Sequence, residues 1–191
     1  MFSALMAGIS LSAASGLRVF LPLLGVGLAS YFGVVDLGEG FAWMSSEPVL
    51  IVVGVAALLE ASAYYIPLVD NLLDTLATPA AMAGGTVIVS SLMPELSAPS
   101  HWATAVLLGG GTAGIVQSST VLARGASTAT TGGLANPILA TVETGGSLFA
   151  VIMAFLIPVI FGLLVIMLIA VLMIRLARRW LRKSDPAPAD P

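Results

Sequence analysis

Basic residues are almost absent from the first 174 positions of this 191-residue chain, and no other feature constrains its fold as strongly. Only Arg18 and Arg124 occur there, each among long apolar runs, whereas the other five basic residues lie between Arg175 and Lys183. A cluster of Lys and Arg beside an apolar segment stays in the cytoplasm, because moving it across the bilayer is costly. The pattern predicts an all-α membrane protein with a cytoplasmic C-terminus.

The composition excludes several classes of protein. The chain is 58% hydrophobic and 9% charged, whereas soluble domains carry about 25% charged residues. It contains no cysteine and a single histidine, which rules out a zinc site and leaves a Ser/His/Asp triad without support. No basic patch precedes the C-terminal cluster, so nucleic acid is not expected as a partner. We expect no enzymatic activity and no cofactor or metal.

Five apolar segments are candidates for membrane-spanning helices, because the hydrocarbon core takes about 20 residues per helix. The loops after the first and third segments are acidic and lack Lys and Arg, which places them outside the cell. We treat residues 1–183 as one polytopic domain, and residues 184–191 as a disordered cytoplasmic tail because of their Pro, Asp and Ala content. The five segments span residues 3–32, 49–66, 72–93, 102–122 and 146–174.

A sixth crossing is predicted for residues 124–144, which are too small and polar for a lipid-facing helix and too poor in charge for an ordinary loop. Gly132-Gly133 and Asn136-Pro137 must interrupt any helix in this segment. The first segment contains similar interruptions at residues 15–18 and at Pro22. Non-helical backbone at membrane depth survives only when it is buried in protein or lines a watery cavity. Both segments are therefore predicted to be interrupted or re-entrant, within a total of about six crossings.

Short sequence matches favour an internal two-fold repeat. Gly8-x-Ser10, followed by Gly16-Leu17, matches Gly125-x-Ser127, followed by Gly133-Leu134, at one constant offset. The matches predict two halves with one interrupted helix each. This is the arrangement of many transporters with inverted repeats, in which the helix breaks mark the binding site.

Arg18 and Glu60 are candidate site residues, because a charge at membrane depth costs at least a few kcal/mol and normally has a partner or a function. Arg18 follows the break at Gly16, where it could bind an anion or act as a gating charge beside free backbone N–H groups. Glu60 could couple transport to proton movement. The alternative for both residues is a structural ion pair, and we expect Arg18 within pairing distance of Glu60, Asp70 or Asp74.

The densest polar motif is Ile66-Pro67-Leu68-Val69-Asp70-Asn71-Leu72-Leu73-Asp74. On a helix, Asp70 and Asp74 share a face and Asn71 lies beside them. The two carboxylates could bind a hard cation or share a proton. Alternatively, Asn71 caps the following helix, with Asp74 in the capping-box position.

Asn136 and Glu143 are the candidates in the interrupted segment. An Asn between half-helices can offer a carbonyl and an amide to a solute, or it can satisfy backbone groups that the break leaves free. Glu143 precedes Gly145-Gly146 and could simply lie at the outer interface.

These residues resemble the motifs of a bacterial family of small integral membrane proteins described as a domain of unknown function. The resemblance rests on Gly16-Leu17-Arg18-Val19-Phe20-Leu21-Pro22, on Trp43 and Glu60, on the motif from Ile66 to Asp74, and on Asn136-Pro137 through Glu143. The chain departs from the family pattern at Tyr65 and Thr78, where Lys and Arg are common. The resemblance covers almost the whole chain except the tail. It implies an integral protein of the bacterial inner membrane and assigns no activity.

The sequence therefore favours a transporter or channel for a small solute or an ion, with its site where the helices are interrupted. A non-catalytic accessory subunit of a larger membrane complex is the alternative, followed by a lipid-handling protein. The expected partners are the lipid bilayer, a small solute or ion, and further copies of the chain or other subunits. The candidate binding residues are Arg18, Glu60, Asp70, Asn71, Asp74, Asn136 and Glu143.

Overall fold

The computed structural model describes residues 2–93 and 98–184, and these residues form helices without any β-strand. Four helical segments are long and apolar enough to cross a membrane, and two further apolar helices are shorter. This confirms an all-helical chain and indicates a membrane protein. The helices are α1 (Phe2–Ser15), α2 (Phe20–Tyr31), α3 (Glu47–Ala63), α4 (Pro67–Leu92), α5 (Ala98–Thr104), α6 (Gly111–Thr131), α7 (Asn136–Leu156) and α8 (Pro158–Ser184).

Two further helical elements connect these helices. A 3₁₀ turn at Glu39–Ser45 follows α2, and a π-helical stretch at Ala105–Gly110 joins α5 to α6 without a break. Helix α3 has 17 residues, which is slightly short for the ~30 Å hydrocarbon core at about 1.5 Å per residue. Ser184, predicted to begin the disordered tail, is the last residue of α8. The rest of that tail and residues 94–97 of the acidic loop lie outside the described residues.

Helices α1 and α2 form an antiparallel hairpin. α1 runs antiparallel to α4. Gly8, in the second turn of α1, lies against Val89, whereas Ser15, the last residue of α1, donates its hydroxyl to Ala81 O at 3.4 Å. The chain then returns along α2, after which the Gly38 N–H donates to Ser91 O at 3.0 Å. Both open ends of the hairpin therefore lie near the C-terminal end of α4, and the residues between the two helices form its tip.

The hairpin tip touches α6 because it contains a glycine. A Cβ atom at Gly16 would meet Ala113 O at 2.5 Å and Val116 Cβ at 2.6 Å, so a larger residue would push the tip away from α6. Pro22, predicted to be a second interruption, lies in the first turn of α2, where a backbone N–H has no helical partner to lose. The helix therefore continues through Pro22, and that part of the prediction is wrong.

Helix α4 and the π-helical stretch cross at a pair of glycines. A Cβ atom at Gly85 would lie 2.5 Å from Gly109 O, and a Cβ atom at Gly109 would collide with Gly85 O in turn. The absence of both side chains lets the two backbones touch, as small residues do between membrane helices. From this crossing α6 runs antiparallel to α4 and brings Arg124 opposite Asp74.

Residues 124–144 do not form a pair of half-helices. Helix α6 continues to Thr131, Gly132 and Gly133 take positive φ values of 65° and 87°, and α7 begins at Asn136. The polar segment is therefore the end of one long helix and the start of the next, joined by a glycine turn. The two segments matched in sequence are α1 with the hairpin tip and α6 with the glycine turn. Because α1 and α6 both run antiparallel to α4, these two segments point in the same direction and are not inverted.

The last predicted segment, residues 146–174, is divided between two helices. α7 ends one residue before Ile157, and α8 begins at Pro158, whose ring and missing N–H prevent α7 from continuing. Helix α8 packs against α1, where Gly162 lies directly on Met6.

The bundle has two distinct ends. The turn at residues 132–135 and the last turns of α8, which carry Arg175 and Arg178, lie at one end, which we call the basic end. The link at Ile157 and the open ends of the α1–α2 hairpin lie at the opposite end. The main apolar core lies between them and draws on α1, α2, α4, α7 and α8.

Candidate ion or solute site

Arg18 lies in the hairpin tip, and its guanidinium is bound by α7. Nη1 donates to Glu143 Oε2 at 2.8 Å, Nη2 donates to Ala140 O at 2.9 Å, and Nε donates to Thr144 Oγ1 at 3.0 Å. Nη1 also donates to Leu17 O at 2.9 Å. The side chain is only 2% exposed, so its charge is removed from solvent while each nitrogen retains an acceptor.

Glu143 is shared between two arginines. Arg124 Nε donates to Glu143 Oε1 at 3.1 Å, and Arg124 Nη2 forms a close ion pair with Glu143 Oε2. Arg124 Nη1 lies 3.8 Å from Asp74 Oδ1, which connects α6 to α4. One carboxylate of α7 therefore joins the hairpin tip to α6, and Asp74 adds α4. We call Arg18, Arg124, Glu143 and Asp74, with the groups that contact them, the arginine cluster.

Tyr64, just after α3, packs against both guanidinium groups. The Cζ atoms of Arg18 and Arg124 lie 4.2 Å and 4.1 Å from the centroid of its ring, which is within cation–π distance. The Tyr64 residue is 5% exposed. The ring therefore separates the arginine cluster from the outer surface of the bundle.

Glu60 binds backbone N–H groups at the start of α2. Its Oε1 accepts from Val19 N at 2.8 Å, and its Oε2 accepts from Phe20 N at 3.0 Å. Such groups lack helical partners, and the helix dipole favours a carboxylate beside them. Arg18 was predicted within pairing distance of Glu60, Asp70 or Asp74. For Glu60 and Asp74 this is wrong, because Glu60 serves as this cap and Asp74 faces Arg124. The side chain of Asp70 lies outside the described part of the structure.

The structure describes the side chain of only one member of the predicted carboxylate pair of α4, Asp74. The helix begins at Pro67, so Asp70, Asn71 and Asp74 all lie within its first turns. Asn71 is therefore inside the helix and does not cap it, which overturns the capping alternative. Asp74 lies opposite Arg124, whereas the side chains of Asp70 and Asn71 lie outside the described part of the structure.

Asn136 is the first residue of α7 and lies apart from the arginine cluster. Its Nδ2 donates to Thr128 Oγ1 at 3.3 Å, and the residue is 5% exposed. Seven positions separate it from Glu143, which is about 10 Å along a helix. Asn136 therefore ties the start of α7 to the end of α6, beside the glycine turn.

Arg124, Tyr64 and Thr144 belong to the cluster but were not among the predicted binding residues. Glu143, a candidate binding residue whose alternative position was the outer interface, is 7% exposed and lies between two arginines. A signal for this pairing is present in the sequence. Arg124 precedes the end of α6 by seven residues and Glu143 follows the start of α7 by seven, so an antiparallel turn at Gly132-Gly133 places them opposite each other.

Two grooves border the arginine cluster. One lies between the start of α2, α3 and α4, has a volume of about 460 Å³, and contains Glu60 and Tyr64. The other lies among α6, α7 and α8, has a volume of about 440 Å³, and contains Glu143. Among the described residues, no three His, Cys, Asp or Glu side chains are grouped as metal ligands would be.

Comparison with curated proteins and with solved structures gives no significant match. A family model, in contrast, matches residues 5–179, which is nearly all of the described chain. This match confirms the resemblance that the sequence motifs indicate. The chain belongs to the family described as a domain of unknown function, DUF4126.

Proposed function

We propose that this protein transports a small solute or an ion across the membrane, with its site at the tip of the α1–α2 hairpin. Helices α1 and α2 have 14 and 12 residues, or about 21 and 18 Å, so neither spans a ~30 Å hydrocarbon core. Their antiparallel packing returns the chain to the side from which it came. In a bilayer the hairpin would be re-entrant, and this single observation carries the proposal.

A re-entrant tip needs a specific environment. Non-helical backbone at membrane depth is tolerated where protein or water satisfies it, and it commonly marks the substrate or ion sites of transporters. Here Glu60 satisfies two amides of the tip, and Glu143 and Ala140 satisfy Arg18. The carboxylates that hold the tip are groups that a proton or a cation can compete for.

The charges of the site favour a cation or a proton as the transported ion. Arg18 and Arg124 are balanced by Glu143 and Asp74. Glu60 adds a further negative charge, and its contacts are to neutral backbone amides. The described side chains of the site therefore sum to one negative charge when all are ionised, and a bound cation or proton would neutralise it.

We place the protein in the bacterial inner membrane with the basic end of the bundle in the cytoplasm, as the positive-inside rule favours. Helices α3, α4, α6, α7 and α8 would then cross the bilayer. This gives five crossings and a hairpin that enters from outside. The arginine cluster would lie toward the cytoplasmic half, since Arg124 is seven residues from the end of α6.

Flux through proteoliposomes tests the proposal. We expect the purified protein to carry protons, Na⁺ or K⁺ down an imposed gradient faster than empty liposomes, as measured with an internal pH dye or ion-selective dyes. Glu60→Gln should reduce the flux at least tenfold. Glu47→Gln makes the same change at the other end of α3, where Glu47 is exposed, and should leave the flux unchanged. Flux equal to that of empty liposomes for these ions and for an organic ammonium such as adamantylammonium would refute the proposal.

One observation favours the alternative of an accessory subunit. Every nitrogen of the Arg18 guanidinium already has a protein acceptor, so a purely structural role in holding the helices together would account for this side chain. In that case the protein purified from native membranes in mild detergent should retain a second polypeptide in fixed ratio. An absence of flux together with such a partner would replace the transporter proposal with this one.

A further inference from the structure

The groove beside Glu60 combines apolar walls with one charged group. It lies between the first residues of α2, the last turns of α3, and α4, and its volume is about 460 Å³. Leu59 and Leu76, which line it, are 64% and 62% exposed. The groove is therefore open to the side of the bundle, where lipid would lie if α3 and α4 cross the membrane.

The carboxylate of Glu60 carries the only charge among the described side chains that line this groove. Each of its oxygens accepts one backbone N–H, from Val19 and from Phe20. A carboxylate has about four acceptor positions, so both oxygens can accept a further donor. Glu60 is thus a polar anchor at one end of an otherwise apolar surface.

The neighbouring arginines compensate this charge only in part, because Arg18 attracts Glu60 but is itself paired with Glu143. Arg18 and Arg124 form ion pairs with Glu143 and Asp74, and these four charges cancel. The ring of Tyr64 packs against both guanidinium groups and also lines the groove. A positively charged occupant of the groove would therefore gain the attraction of Glu60 while the aromatic ring separates it from the arginines.

We infer that the groove binds a soluble organic cation, namely a protonated amine with an apolar body, and not a lipid headgroup. The ammonium would contact Glu60, and the body would lie along Leu59 and Leu76. The volume falls within the range of roughly 300–1,000 Å³ that is typical of small-molecule sites and is far larger than an inorganic ion needs. The inference rests on the proposed function only in naming the class of transported cation, because binding can be measured without transport.

The test is calorimetric titration of the full-length protein in phosphatidylcholine nanodiscs with adamantylammonium chloride. Adamantanol, which has the same apolar cage without the charge, is the matched ligand. We expect the ammonium to bind at least tenfold more tightly than the alcohol. Glu60→Gln should abolish that difference, and Glu47→Gln should preserve it.

A second variant keeps the test decisive if Glu60→Gln does not fold. Ala80 lines the groove and is exposed, so Ala80→Trp should fill the groove without disturbing the core. We expect it to weaken adamantylammonium binding at least tenfold while the thermal transition of the protein stays within a few degrees of wild type. Unchanged binding in Ala80→Trp would place the ligand elsewhere and overturn the inference.

Three other outcomes would also overturn it. One is equal affinity for the ammonium and the alcohol, and another is unchanged binding in a folded Glu60→Gln variant. The third is loss of ammonium binding in phosphatidylethanolamine nanodiscs, which would assign the groove to a lipid headgroup. Glu60-dependent binding without flux would refute transport alone, whereas proton or Na⁺ flux without ammonium binding would refute this inference alone.

Discussion

At the scale of single residues, Glu143 determines whether two buried arginines are tolerated. It accepts hydrogen bonds from both Arg18 and Arg124, and all three side chains are at least nine-tenths buried. Removing one member of a buried pair strands the other charge and typically costs about 3–5 kcal/mol. We therefore expect Glu143→Gln to lower the free energy of unfolding by about that amount, measured by denaturant titration in detergent.

The matched control for this prediction is Glu47→Gln. Glu47 is exposed and its Oε1 accepts from the Tyr31 hydroxyl at 3.2 Å, and substitutions at such positions usually change stability by less than about 0.5 kcal/mol. Equal unfolding midpoints for Glu143→Gln and Glu47→Gln would show that the arginines find other acceptors.

The sequence predicts the type of interaction at Arg18 but not its partner. An isolated arginine in an apolar run requires a compensating group, and the structure supplies one. Which carboxylate is close depends on helix packing, however, and Glu60, Asp74 and Glu143 are equivalent by residue type. Treating Gly132-Gly133 as a turn between two antiparallel helices, instead of a break within one crossing, would have selected the pair of Arg124 and Glu143.

At the scale of elements, two neighbouring glycines of one segment have opposite roles. A Cβ atom at Gly109 would collide with the backbone of Gly85, whereas a Cβ atom at Gly111 meets nothing within 4 Å. Gly109→Ala should separate α4 from the π-helical stretch and destabilise the protein by about 1–3 kcal/mol, as overpacking does. Gly111→Ala should stabilise it slightly, because alanine favours a helix by up to about 1 kcal/mol over glycine.

Thermal unfolding of the two variants in the same detergent checks this prediction. The comparison is internal, since both substitutions add one methyl group within three positions of each other. A Gly109→Ala variant as stable as Gly111→Ala would mean that the crossing of α4 and the π-helical stretch is looser than the structure has it.

Helix boundaries show where pattern reasoning succeeds and where it fails. The interruption around Gly16 was predicted, because a glycine precedes a charge inside an apolar run. The roles of Pro22 and Asn71 were predicted wrongly, because the true first turns of their helices were not known. A proline or a capping residue marks a helix start only in relation to the true first turn, and the starts of α2 and α4 lie two and four residues earlier.

At the scale of the whole molecule, the direction of α2 could not be predicted from hydropathy. An apolar segment with a central break has the same composition whether the second half continues across the membrane or turns back. The choice is made by long-range packing. Gly16 fits against α6 and Glu60 caps the start of α2, which together position the tip. Gly25 lies against Val151 of α7, and this contact requires α2 to turn back from the tip.

The reversal changes the topology, and this yields the last prediction. A single crossing by residues 3–32, followed by the crossings of α3, α4, α6, α7 and α8, would put both ends of the chain in the cytoplasm. The hairpin followed by the same five crossings puts the N-terminus outside. The chain has no cysteine, so each introduced thiol is unique. Leu134 in the glycine turn, Trp43 in the 3₁₀ turn and Phe2 are 86%, 54% and 58% exposed, and replacing each with cysteine should leave the core intact.

A membrane-impermeant maleimide added to intact cells then distinguishes the two topologies. Trp43→Cys should react and Leu134→Cys should react only after the cells are opened, because the basic end of the bundle is expected in the cytoplasm. Both topologies share these two results, so Trp43→Cys and Leu134→Cys are controls for orientation.

Phe2→Cys decides between the two topologies. The hairpin requires it to react in intact cells like Trp43→Cys, because the first turn of α1 lies at the end of the bundle opposite Arg175 and Arg178. Protection of Phe2→Cys together with Leu134→Cys would show that α1 and α2 cross the membrane as one segment. The proposal of a site at the hairpin tip would then be refuted as well.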